Sequence, residues 1–180
     1  MKPYQPPGMW RGMNAFLPDY VPDKGEKLHR RSLYTFWRRT SPPPNMLAFD
    51  APSREVCVVR RQTTSTPLQP LVLLNDPQFV EAARALGERM LREGGATPQD
   101  RLAYAFRQAA TRKPSDRELR LLTELYDGQL HLFRSDPAAA QKFLKIGDRP
   151  PAQGLDPADL AAATATAGAI LNLDAAVTTR

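Results

Sequence analysis

The feature that most constrains this chain is a repeated way of starting a helix. From residue 76 onward the pairs Asp76-Pro77, Thr97-Pro98, Asp136-Pro137 and Asp156-Pro157 recur, and Ser115 stands three residues before Glu118. In each pair the oxygen-bearing side chain can accept a free backbone N–H of the first turn. Proline at the first helical position needs no donor and presets φ. Ser115 and Glu118 have the S-x-x-E spacing of a capping box, in which each satisfies a backbone N–H of the other. Such punctuation calls for a domain built from helices.

The apolar pattern behind each start has the helical period. Phe79, Val80, Ala83, Leu86, Met90 and Leu91 make one stripe, stopped by Gly94-Gly95. Leu102, Ala105, Phe106 and Ala109 make the next, then Leu119, Leu122, Tyr126, Leu130 and Phe133. A short fourth helix carries Phe143 and Leu144, and a fifth carries Leu160, Ala163, Ala167, Ile170 and Leu171. The fifth is rich in Ala, Thr and Gly, which reads as a core helix closely approached by its neighbours. No longer repeat lies behind the shared starts, so a solenoid is not expected.

The front of the chain is different. Eleven of the 18 prolines fall in residues 1–70, with 11 Lys/Arg against 5 Asp/Glu, a net +6; residues 71–180 hold 14 of each. The whole basic excess is therefore N-terminal. We expect residues 1–75 to be a Pro-rich, basic wrap with one helix, about 27–39, packed on the rest, and residues 76–180 to be a helical C-terminal domain. On that helix Leu33, Phe36 and Trp37 would fall within about 100° and face protein, while Arg31 and Arg38 face solvent. Glu55–Val59 reads as a short strand at most, with Cys57 a buried, inert thiol in it. The run 71–74 reads as an apolar anchor. The expected fold class is mainly α: an irregular helical bundle with a Pro-rich, basic N-terminal wrap.

Arg30, Arg31, Arg38, Arg39, Arg60 and Arg61 are the candidate contacts for an anion or a partner, because the guanidinium fork suits carboxylate, sulfate or phosphate. Asn75 and Asp76 are a junction candidate, with helix capping as the plain role of Asp76. Cys57 is the single cysteine, so no intrachain disulfide forms, and His29 and His131 are the two histidines. No C-x-x-C, H-E-x-x-H, G-x-S-x-G, phosphate loop or dinucleotide fingerprint occurs. A metal site or a cofactor in this chain is not expected, and catalytic residues are not assigned. MKPYQPPGMW lacks the apolar region of a signal peptide. The uncharged stretch 160–173 is shorter than the ~20 residues of a membrane helix.

Several longer stretches resemble a known family: RRSLYTFWRRTSPPPNMLAFDAPSREVC, then VRRQTTSTPLQPLVLLNDPQFVEAARALGERML, the opening MKPYQPPGMW, and the later AYAFRQAATRKPSDREL and AILNLDAAVTTR. Together they look like the C-terminal domain of unknown function (domain of unknown function 1553) of large planctomycete proteins that also carry a cytochrome-c-like module. The resemblance implies a terminal fragment of a longer, extracytoplasmic polypeptide whose haem c sits in the missing N-terminal part. Its partners would be the preceding domains. The function expected first is a non-catalytic binding and assembly domain. The alternatives are an envelope enzyme domain acting on an anionic polysaccharide and, third, nucleic-acid binding, which would need exposed aromatics along a basic groove.

Overall fold

The computed structural model describes residues 1–6, 20–39, 41–60 and 62–177. It is mainly α-helical, with eight α-helices, two 3-10 turns and no strand among the described residues. The chain divides into two compact units, Met1–Val72 and Leu73–Arg180.

In the second unit every expected start is used. Helix α3 (Pro77–Glu93) begins where the Asp76 carboxylate accepts the Gln78 N–H at 2.9 Å. Helix α4 (Pro98–Ala110) begins at Thr97, which accepts from Asp100 at 3.1 Å. Helix α5 (Asp116–Ser135) has the complete capping box: Glu118 N–H to Ser115 Oγ at 3.3 Å and Ser115 N–H to Glu118 at 2.8 Å. Helices α6 (Pro137–Leu144) and α7 (Pro157–Leu171) start at Asp136 and Asp156, each accepting an N–H three residues on at 2.9 Å. A last turn, α8, covers Asp174–Val177.

Helix α7 is the centre, with α3, α4, α5 and α6 around it. Leu160 to Thr164, Thr166 to Gly168 and Ile170 are all buried, so it has no solvent face to speak of, as a core helix must. Its threonines are accommodated because Thr164 and Thr166 donate to the carbonyls of Leu160 and Ala162, at 2.7 and 2.9 Å. The approach of α3 to α7 depends on Gly87: a Cβ there would lie 3.0 Å from backbone atoms of Ala163 and Thr164. Met90, Leu102, Phe106, Leu122, Tyr126, Phe133, Leu144 and Leu160 fill the core around them.

The first unit holds 3-10 turns at Gly25–Leu28 and Ser32–Tyr34, helix α1 (Pro44–Ala48) and the start of helix α2 (Leu68–Asn75). The single helix expected at 27–39 does not form. Neither turn has a side-chain cap at its start, and a segment so short is marginal without packing to support it. Thr35 is extended instead, and residues 35–38 have no regular secondary structure. Thr35 is buried, Phe36 exposed, and Trp37 and Arg38 both half-buried, so Leu33, Phe36 and Trp37 share no inward stripe. Leu33 is 77 % exposed. Residues 55–59 likewise form no strand, and Cys57 is exposed rather than buried. Few apolar side chains are packed in this unit, so local hydrogen bonds carry more of its order. Asp50 accepts from the Thr64 N–H at 2.7 Å and from its hydroxyl at 2.9 Å. Trp37 Nε1 donates to the Ser53 carbonyl at 3.2 Å, and the Arg54 guanidinium lies 4.8 Å from the centre of its ring.

Candidate functional site

Two places concentrate charge. The first is the arginine-rich stretch of the N-terminal unit. Arg30 and Arg31 are exposed just before the Ser32–Tyr34 turn, and the Arg31 carbonyl accepts the Tyr34 N–H at 2.9 Å. Arg38 is half-buried and its carbonyl accepts from the Ser41 N–H; Arg39 follows it, exposed. Arg60 is exposed in a bend, and Arg61 lies outside the described residues. Among the described residues Arg30, Arg31, Arg39 and Arg60 make no ion pair. Between the two arginine pairs stand exposed Leu33, Tyr34 and Phe36. An aromatic stripe turned inward is therefore corrected: apolar and cationic side chains share the same solvent-facing stretch.

The second place was not legible as a site. On α3, Glu81, Arg84 and Glu88 are 6, 2 and 3 % exposed. Arg84 donates to the carbonyls of Leu144, Ile146 (2.9 Å) and Arg149. Glu81 accepts the N–H groups of Asp148 and Arg149, at 2.5 and 2.9 Å. Glu88 accepts from the Arg149 guanidinium at 2.7 Å and from the Ala152 N–H at 3.0 Å. The three side chains thus clamp residues 144–152, the link from α6 to α7. Burial lowers the pKa of Arg84, while Glu81 and Glu88 beside it oppose that shift. Gly147 is part of the device: its φ is +97°, and a Cβ would run into Glu81. The sequence signal was three charges at positions 81, 84 and 88, along one edge of an apolar helix stripe. These partners are backbone groups and a countercharge, so the cluster holds structure.

At the junction, Asp76 does the work of a cap. Burial raises its pKa, against the lowering effect of hydrogen bonds from Gln78 and Phe79. Asn75 is exposed at the end of α2. An open groove of about 440 Å³ runs past Gln99, Asp116, Leu119, Arg120, Thr123 and Glu124.

Among the described residues no group of His, Cys, Asp and Glu could hold a metal ion. A covalently attached haem needs C-x-x-C-H. Cys57 is the one cysteine and is followed by Val58, Val59 and Arg60, so these residues do not fit that group. No helix among the described residues is long and apolar enough to cross a membrane.

No curated protein and no solved structure matches this chain. A family does: PSD1, described as a protein of unknown function (DUF1553), matches residues 1–126, which includes the arginine-rich stretch, the α3 clamp and the start of α5. On that match, spanning more than two thirds of its length, the chain belongs to the DUF1553 family.

Proposed function

We infer that this is a non-catalytic binding and assembly domain whose contact surface is the stretch 30–39. The supporting observation is the company its arginines keep. Leu33, Tyr34 and Phe36 are 77, 63 and 46 % exposed between Arg30-Arg31 and Arg39, none of which has an acidic partner among the described residues. Aromatic and arginine side chains together are the composition of interface centres, where apolar contact supplies affinity and charge sets register. The fitting partner is a protein surface with an apolar centre and carboxylates around it. The resemblance to large planctomycete proteins supports placing that partner in a haem-carrying, extracytoplasmic assembly, on another domain of a longer polypeptide.

The test is binding of the full chain to three probes, an acidic leucine-containing peptide, heparin and duplex DNA, at low and physiological salt. The variants are Arg30→Glu/Arg31→Glu and Leu33→Asp/Phe36→Asp. The assembly reading expects the peptide to bind and both variants to abolish it. Loss of heparin binding by the arginine variant alone would favour an anionic polysaccharide as ligand. A DNA complex that weakens steeply with salt would favour nucleic acid. Binding to none of the three overturns the surface.

A further inference from the structure

Helix α5 carries two apolar rows, and the core takes only one. Leu119, Leu122, Tyr126, Leu130 and Phe133 pack inward. Leu121, Leu125, Gly128 and Leu132 form a second row, spaced by four, three and four residues. At about 100° per residue these four lie within roughly 60° of each other and about 130° from the core row. Leu121 and Leu132 are 56 and 53 % exposed; Leu125 is half-buried and Gly128 exposed. Such spacing is that of a coiled-coil seam.

Gly128 is the odd member. Glycine inside a helix weakens it, and here a Cβ would meet nothing within 4 Å. Nothing among the described residues asks for the missing side chain. What it leaves is a notch in a row of leucines.

We propose that this row is a docking seam for a second copy of the same chain, with two α5 helices antiparallel about a two-fold axis between Leu125 and Gly128. In that register Leu125 of each copy fills the notch at Gly128 of the other, and Leu121 meets Leu132 of the other. The same axis sets Glu124 beside His131 of the second copy, twice, a carboxylate acceptor against an imidazole donor; both residues are exposed. Parallel pairing would instead face Gly128 with Gly128, a void, and set Glu124 beside Gln129 rather than beside His131. The seam is about 16 Å long, so the interface belongs to the small, weakly associating class.

Sedimentation of the full chain over a concentration series is the test. A reversible dimer is expected, with a dissociation constant on the order of 10–1,000 μM. Gly128→Leu, which fills the notch with a better helix former, is expected to raise that constant at least about tenfold while helix content holds. Leu132→Glu should do the same, and Glu124→Lys should weaken association. Exchanging the pair in one chain, Glu124→His with His131→Glu, should restore it. A monomer up to about 1 mM, or a dimer indifferent to Gly128→Leu and Leu132→Glu, overturns the proposal. Failure of the exchanged pair to restore association overturns the antiparallel register. The arginine variants described above leave this association unchanged, so the two ideas fail separately.

Discussion

Arg84 donates to the carbonyl of Ile146 at 2.9 Å, joining helix α3 to a loop 62 residues further along the chain. That guanidinium is 2 % exposed and sits between two buried carboxylates. With its bonds to the Leu144 and Arg149 carbonyls it holds the link between α6 and α7.

Replacing Arg84 by Met should therefore be severe. It strips three carbonyls of their donor and leaves Glu81 without its buried countercharge, while Glu88 keeps Arg149, a loss of about 3–5 kcal/mol. Lys should not rescue it, since one ammonium cannot reproduce a planar fork aimed at several carbonyls. Urea denaturation of the three proteins checks this.

Two glycines should respond to Ala with opposite sign. At Gly87 a Cβ would sit 3.0 Å from the α7 backbone, so Gly87→Ala should cost roughly 1–3 kcal/mol by pushing α3 from α7. At Gly168 the new methyl would meet Ala83 Cβ at 3.8 Å and Leu74 Cδ2 at 3.9 Å, ordinary contacts. Gly168→Ala should raise stability by up to about 1 kcal/mol, the helix-propensity gain. Thermal melts of the two variants give the signs directly.

Acid should erase the capping box. The Arg112 guanidinium, then the Ser115 N–H, pulls the Glu118 carboxyl down from 4.5 to about 2. A depressed acid contributes its stability in full above about 4.5 and loses it as pH falls toward 2. Glu118 faces solvent in part, so the amount is below about 1 kcal/mol. The gap in denaturation midpoint between the native chain and Glu118→Gln should be open at pH 6 and closed near pH 2.

Cys57 is exposed. A thiol reagent such as DTNB should therefore modify one group per folded chain without denaturant, at the rate of a small-molecule thiol within about tenfold. Reaction only after unfolding would place Cys57 inside.

Trp37→Ala should be milder than a core truncation. The half-buried ring has one hydrogen bond and one stacked arginine, worth about 1–2 kcal/mol, against ~3–5 kcal/mol for a fully buried ring. Hydrogen exchange should show the loss of protection concentrated near residues 35–55.

The helices beginning at Pro77, Pro98, Asp116, Pro137 and Pro157 were all legible in the amino acids alone. Each start is a transaction between a side chain and an N–H two or three residues away, so the information is local. The stripes behind them were legible for the same reason. Residues 27–39 misled because Leu33, Phe36 and Trp37 have helical spacing over too few residues, with no cap to begin the helix and no packed face to sustain it. The clamp on α3 could not be read because, apart from the Arg149 guanidinium, its acceptors and donors in residues 144–152 are main-chain groups, and the same backbone atoms occur at every position. Only the path of the chain brings Glu81, Arg84 and Glu88 to them. What the string of residues determined was where helices begin and which faces turn inward. Which of its charges hold the fold and which remain turned to solvent was decided in three dimensions, because a charge's role depends on what lies within about 4 Å of it, and that is set by residues far away in sequence.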